Sequence, residues 1–542
     1  MAAPTHPQTP AATARPIDPS AGPAARPAPP APDVNRDLEE AYDADPYPDF
    51  AFWFTHPDHL GMMARLMGVE TRDTGMTRVL EIGCAVGGNL IPMAASAPTA
   101  HFVGVDLSGV QIEAARSAAA AAGIENITFV HGDFREVPVE LGPFDHIICH
   151  GVFAWVDTPT QRALLDFMRE RIAKNGVAYV SYNTYPGHLM VDMVRKLTRL
   201  HTDELRDPEQ KVRESLAVTR WLHRRVRKNP NDWRTTFLEK ELAAMQDAGR
   251  SLILHDYLAT ANNPLYFVDF VRMAEESGLA YLANASAWDM YLENHDPEVV
   301  ESLTQLGDMV LQQQYLDFIF HTRFRRTLLC AATDLGQPEV LAGRVMAFHI
   351  GSGLFEEPNL DGLEQRMPVM VPIINRPPLT VSHPLLKLAL WVLWQAGRRW
   401  PHFDELVERV AAELVVRDLE PELTANRELL RGRLAGQLLR AFFAEAVRFS
   451  LRSPPVAKTV PERPATGRYQ RLLASQNNQS LVNLGHECFE ITPASRALLP
   501  VMDGTRTLED LRGFWPENLE DRLEELRQTG FILDPALAEP YI

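Results

Sequence analysis

Three carboxylates and a pair of glycines carry the chemistry that this chain displays most openly. Glu81 closes a short apolar run and is followed by Gly83 and Gly87; Asp106 stands 25 residues after Glu81, and Asp133 a further 27. Glycines in such a turn let the backbone approach a ligand where a β-carbon would clash. A carboxylate about twenty residues beyond the turn can accept both hydroxyls of a ribose. Asp133 and Phe134 can bracket an adenine, the acid toward its amino group and the ring on its face. Cys84 fills the turn, Leu107 follows the ribose acid and His150 ends a later apolar run. The expected cofactor set is therefore Glu81, Gly83, Cys84, Gly87, Asp106, Leu107, Asp133, Phe134 and His150.

These groups need a parallel sheet to bring them to one edge. The pattern predicts strands ending at Ile82, Asp106, Val130, His150 and Tyr182, a helix opening at Leu90 and another from about Thr158. Ligands in open α/β sheets bind at the carboxyl ends of the strands, which is where Tyr182, Asn183 and Tyr185 fall. A helix over 267–278, a sixth strand over 279–284 and a seventh over 324–331 complete the sheet. The fold class is α/β, a Rossmann-like sheet over 77–190 and 262–333 with a helical cap insertion over 191–261.

Around this core, residues 1–32 contain ten prolines and ten alanines, and residues 1–35 are expected to be a disordered tail. Residues 36–76, dense in aromatics, form either a lid or packing under the sheet. After a connector over 334–382, two units over 383–452 and 468–542 resemble winged helices, joined by a proline-rich linker over 453–467. The acidic stretch 518–527 favours a protein-contact role for the second unit.

A net charge of −18 argues against a protein that grips nucleic acid through phosphates. The basic stretch 219–228 reads as a solvated helix face. Cys84, Cys149, Cys330 and Cys488 have no metal-site spacing, so no metal is expected. No apolar stretch has transmembrane length and no signal-peptide core is visible, which gives an expected cytoplasmic location without membrane insertion.

The order of motifs resembles class I S-adenosylmethionine-dependent methyltransferases, with Ala85 where the commonest pattern has a second glycine. A nicotinamide-binding domain is the rival, but its GxGxxG spacing is missing. Pro46-Tyr-Pro, Thr55-His-Pro-Asp, Glu81-Ile-Gly-Cys-Ala-Val-Gly-Gly-Asn, Tyr182-Asn-Thr-Tyr-Pro-Gly, His255-Asp-Tyr-Leu and Asp503-Gly-Thr resemble bacterial methyltransferases that carry a methyltransferase regulatory domain. That likeness spans roughly residues 40–540, and His188 stands where the family pattern has tryptophan. The family includes lysine methyltransferases of outer-membrane proteins. The resemblance implies S-adenosylmethionine as cofactor and in-line methyl transfer to lysine of a protein substrate, with a homodimer left open. Tyr182, Asn183, Tyr185 and His150 are the catalytic candidates; Trp155, Tyr47 and His188 are the substrate-binding candidates. The alternatives are a small-molecule methyltransferase with a helical lid and a non-catalytic cofactor-binding scaffold.

Overall fold

The computed structural model describes Asp43 and residues 50–542 other than 229–231, 248, 337–339, 355, 362, 364–365, 374–375, 477–479 and 516. The tail over 1–35 and Tyr47 lie outside the described residues.

Seven strands form the main sheet: β1 (Arg78–Ile82), β2 (His101–Asp106), β3 (Ile127–His131), β4 (Phe144–Cys149), β5 (Ile172–Asn183), β6 (Leu279–Asn284) and β7 (Phe324–Ala331). Their spatial order is β3-β2-β1-β4-β5-β7-β6. The first five are parallel, and β7 runs antiparallel between β5 and β6. The chain leaves β1 toward β2 and β3, then returns to the other side of β1 as β4. That reversal opens a crevice at the carboxyl ends of β1 and β4.

Both faces of the sheet are covered, so its strands read as nearly continuous apolar runs. β4 is buried along its whole length. Alternate residues separate cleanly by face: Val79, Ile148 and Tyr179 join one core with helices α1 (Pro57–Leu66), α2 (Leu90–Ser96) and α3 (Gly109–Ala121). Leu80, Ile147, Val180 and Tyr182 join the opposite core with α4 (Thr158–Arg171) and α8 (Phe267–Glu276).

The helical insertion comprises α5 (His188–Thr202), α6 (Pro208–Val226) and α7 (Trp233–Asp247), ending in a π-helical turn at Ile253–Tyr257. Asp207 caps α6 by accepting from the Gln210 amide at 3.0 Å, with Pro208 at the first helical position. Val194, Leu238, Met245 and Tyr257 give the insertion its own small core.

In the C-terminal half, helices Pro384–Ala396, Phe403–Val416 and Arg427–Phe443 precede a strand, Val447–Ser450. Its antiparallel partner is His349–Ser352, upstream of residue 383. The proline-rich stretch 453–467 is packed: Val456 and Ala465 share a core with Leu484 and Leu533. Near the C-terminus Val456 and Leu533 are joined by an isolated antiparallel bridge. Among the described residues no helix is long and apolar enough to cross a membrane.

Candidate active site

The crevice holds a cavity of about 350 Å³, a size that suits a small-molecule cofactor. Its floor is the turn after β1. Gly83 and Gly87 take φ of +74° and +82°, and Ala85 takes +48°, a conformation strained for a residue with a β-carbon. The Ala85 amide donates to Asp106 Oδ2 at 2.9 Å, which holds that strained turn in place. A β-carbon on Gly83 would strike Val152 Cγ2. Gly87 does not line the cavity; a β-carbon there would press on Ile91 and Phe129, so its freedom serves the turn into α2.

Asp106, at the end of β2, accepts from the Ser108 amide through Oδ1 at 2.9 Å and from Ala85 through Oδ2. Burial pushes its carboxyl pKa up, opposed by those two amides. Asp133 chelates the Arg135 guanidinium, with Nε to Oδ1 at 2.6 Å and Nη2 to Oδ2 at 2.7 Å. That guanidinium lies 5.1 Å over the Phe134 ring. Cys84 is buried in the turn, and desolvation together with Asp106 and Glu81 pushes its thiol pKa well up, so it is no nucleophile. Glu81, Gly83, Cys84, Asp106, Leu107, Asp133, Phe134, His150, Trp155 and Asn183 all line the cavity.

The other candidates are not brought together there. Tyr182 faces the opposite core: its ring stacks on Phe270 at 4.1 Å and its hydroxyl lies 3.1 Å from Thr327 Oγ1. The cause is strand alternation, which sets Tyr182 on one face of β5 and Tyr179, Ser181 and Asn183 on the other. Tyr185 donates to Asp192 Oδ2 at 3.2 Å and packs against Tyr266, outside the cavity lining. His188 accepts from Asn262 Nδ2 at 2.9 Å, one step behind Asn183, whose own Nδ2 donates to Asn262 Oδ1 at 2.9 Å.

His150 lies at the centre. Its Nδ1 is 2.9 Å from the Tyr179 hydroxyl and 3.1 Å from Ser181 Oγ, and its ring sits 4.1 Å from that of Phe52. Burial first, then Arg326, pushes the imidazole down to about 3, so it is neutral at physiological pH and a weak base. One face of Trp155 carries the Arg195 guanidinium at 5.2 Å. Among the lining residues outside the expected site set are Phe50 and Phe52, from the aromatic segment expected as a lid or as packing under the sheet, and Gln111, Val152, Asp256 and Phe324. Phe324 begins β7, whose antiparallel pairing with β5 sets it opposite Asn183.

Glu81 is tied to the far end of the chain. Asn89 Nδ2 donates to Glu81 Oε1 at 2.7 Å, and Asn89 Oδ1 accepts from the Phe52 amide at 2.9 Å. His486 Nε2 also meets Asn89 Oδ1, at 3.0 Å. His486 and His146, both buried, form a seam with half-buried His56; desolvation pushes His56 and His146 down to about 4. Their unfolded values lie near 6.5, so each stabilises the fold fully above that pH. Each loses about 1.4 kcal/mol per pH unit as pH falls from about 6.5 toward 4. His146 has no hydrogen-bond partner on either ring nitrogen among the described residues. His146→Leu is therefore expected to be neutral or stabilising at pH 7, and more stabilising by about 2 kcal/mol at pH 5. Urea denaturation at the two pH values reads this directly.

The residues fit an adenosyl cofactor: a turn without β-carbon at Gly83, an acid for a diol, an acid with an aromatic ring for a purine, and apolar walls. Comparison with known proteins agrees. Residues 79–176 match the methyltransferase domain family model and residues 249–331 the model described as a predicted methyltransferase regulatory domain. Residues 462–530 match the PKMT C-terminal winged helix domain. An uncharacterised protein of Rickettsia prowazekii, RP789, is 38% identical over 292 residues, which are 53% of this chain and 52% of that protein. The chain thus spans about half the length of that relative. A second from the same organism, RP028, is 30% identical over 236 residues, 44% of this chain and 94% of that protein. Among solved structures, PKMT2 from Rickettsia typhi, also seen with AdoHcy, superposes with a TM-score of 0.78 at 23% identity over 90% of this chain and all of that one. The chain belongs to the S-adenosylmethionine-dependent methyltransferases that combine the methyltransferase fold with a methyltransferase regulatory domain and a PKMT-type C-terminal winged helix.

Proposed function

We propose that this chain transfers the methyl group of S-adenosylmethionine to lysine side chains of a protein substrate. The observation that carries the proposal is one cavity combining the glycine turn, Asp106 and Asp133 with an aromatic acceptor side at Phe52, Trp155 and Phe324. The likeness to PKMT2 along 90% of the chain supports a macromolecular acceptor. So does the large C-terminal half, which a small acceptor does not require.

S-adenosylmethionine, when bound, supplies a methyl carbon activated by its sulfonium. The protein's work is then alignment of nucleophile, methyl and sulfur. Gly83 lets Val152 pack against the turn, and Asp106 and Asp133 accept from ribose and purine donors. Asn183, aimed by Asn262, orients the acceptor amine. The Tyr179 hydroxyl, 2.9 Å from His150 Nδ1, fixes the orientation of the imidazole. A lysine ammonium has no lone pair and must shed a proton; aromatic walls depress its ordinary pKa of about 10.4. His150, held near 3, is too weak to keep that proton, so water carries it off.

Titrating S-adenosylmethionine into the purified protein and then supplying methyl-labelled cofactor to a bacterial lysate tests this. Label in protein lysines, mapped by mass spectrometry, is the expected result; label confined to small extractable molecules overturns the lysine reading. Tyr182→Phe separates core from site. It is expected to lower stability by about 1 kcal/mol through the lost Thr327 contact while leaving the methylation rate within about twofold.

A further inference from the structure

The π-helical turn Ile253–Tyr257 ends the helical insertion and reaches the same cavity. Turns of this kind are frequent at functional sites. Ile253, His255 and Tyr257 are buried, and the Tyr257 hydroxyl donates to Glu241 Oε1 at 2.8 Å, which fixes the turn against the insertion. Asp256 lies between two of these anchors and lines the cavity together with Asn183, His150, Trp155 and Phe324. Among the described residues no hydrogen bond or ion pair reaches its carboxylate. The nearby cation, Arg195, is engaged elsewhere: Nη2 donates to the Ala259 carbonyl at 3.0 Å, Nε lies 3.6 Å from Asp192, and the guanidinium rests on Trp155.

With His188 and His150 held neutral by burial, each cation at this end of the cavity is engaged by another group: Arg195 lies 3.6 Å from Asp192, Arg323 pairs with Glu241 at 2.9 Å, Arg199 donates to the Thr260 carbonyl at 3.1 Å and Arg326 rests on the Phe54 ring. Desolvation pushes the Asp256 carboxyl up to about 6, with Arg195 opposing. A carboxylate raised in this way gains most from an arriving cation. Flat aromatic walls beside it suit the alkyl stem of a long amine.

We propose that Asp256 receives the protonated amine of the acceptor as it enters the cavity, before that amine sheds its proton among the aromatic walls, and sets the preference for cationic alkylamines over neutral acceptors. This rests on the protein-lysine reading above and adds the group that recognises the lysine. The residue comes from the regulatory insertion, so that domain completes the acceptor site of the sheet.

The test compares two cofactor analogues in which nitrogen replaces the sulfonium sulfur and carries a two-carbon arm. One arm ends in an ammonium and the other in a methyl. Calorimetry on the full chain is expected to show the ammonium arm bound at least about tenfold tighter than the methyl arm. Asp256→Asn should bring that ratio close to one, and Asp256→Glu should keep part of it. AdoHcy affinity should stay within about threefold in both variants, which also shows that they fold. A preference that survives Asp256→Asn, or is absent from the unmodified chain while AdoHcy still binds, overturns the assignment alone. Loss of AdoHcy affinity in Asp256→Asn overturns it too, by placing Asp256 on the cofactor's own ammonium. An unmodified chain that does not bind AdoHcy overturns this proposal together with the methyltransferase reading.

Discussion

Asp106→Asn is expected to weaken S-adenosylmethionine binding by about a hundredfold or more. Its carboxylate is aimed by two backbone amides, at 2.9 Å each, from Ser108 and Ala85. Each oxygen keeps further acceptor capacity, so the vicinal hydroxyls of a ribose can add to the group without displacing the loop. Hydrogen bonds to a charged acceptor contribute about 1.5–3 kcal/mol each, and two of them correspond to factors of about 10² to 10⁴ in Kd. Asparagine keeps one acceptor oxygen, so the turn at Ala85 survives in part. Asp106→Ala removes the ribose partner and the anchor of the strained Ala85 together, and should fall below detectable binding. Calorimetric titration with AdoHcy measures both. An asparagine variant that binds as tightly as the unmodified chain would remove Asp106 from the cofactor site.

The second large effect is expected at Asn89, which lines the cavity and ties three parts of the chain together. Its amide donates to Glu81 and Thr55 and accepts from Phe52 and His486. Asn89→Leu leaves the buried Glu81 carboxylate and the Phe52 amide short of partners. Stripping a partner from a buried charged group costs about 3 kcal/mol. Because Glu81 and Phe52 both line the cavity, cofactor affinity should fall by about tenfold along with stability. His486→Ala cuts only the last link, from the winged helix to Asn89. It should lower AdoHcy affinity by less than Asn89→Leu, since the Glu81 contact remains. Equal losses in the two variants would mean that the C-terminal domain, rather than Asn89, orients Glu81. Urea titration and calorimetry on the same samples keep stability and affinity apart.

The sheet was legible in the sequence because its strands are buried on both faces and its turns use glycine at fixed places. All seven strands fall where the apolar runs end in Glu81-Ile82, Asp106, Val130-His131, Cys149-His150, Tyr182-Asn183, Asn284 and Ala331. The cofactor side was legible for the same reason: residues at strand ends occupy one edge whatever their side chains do further along.

The acceptor side was less legible. Tyr182 and Asn183 are neighbours in the chain, yet the pleat turns one toward Phe270 and the other into the cavity. Phe324, Asp256 and His486 reach the site or its support from about 70 to about 400 residues away from Glu81, Asn89 and Asn183 in the chain, through pairing and packing that no local pattern encodes. By itself, then, the sequence determined the α/β sheet, the adenosyl-type turn with its acids, and the family likeness, because local periodicity and motif spacing act over a few residues. Only the tertiary structure decided which face each β5 residue takes, that a π turn of the regulatory insertion lines the cavity, and that a winged-helix histidine supports Glu81. Those depend on long-range contacts, whose partners become neighbours only when the sheet, the insertion and the C-terminal domains pack.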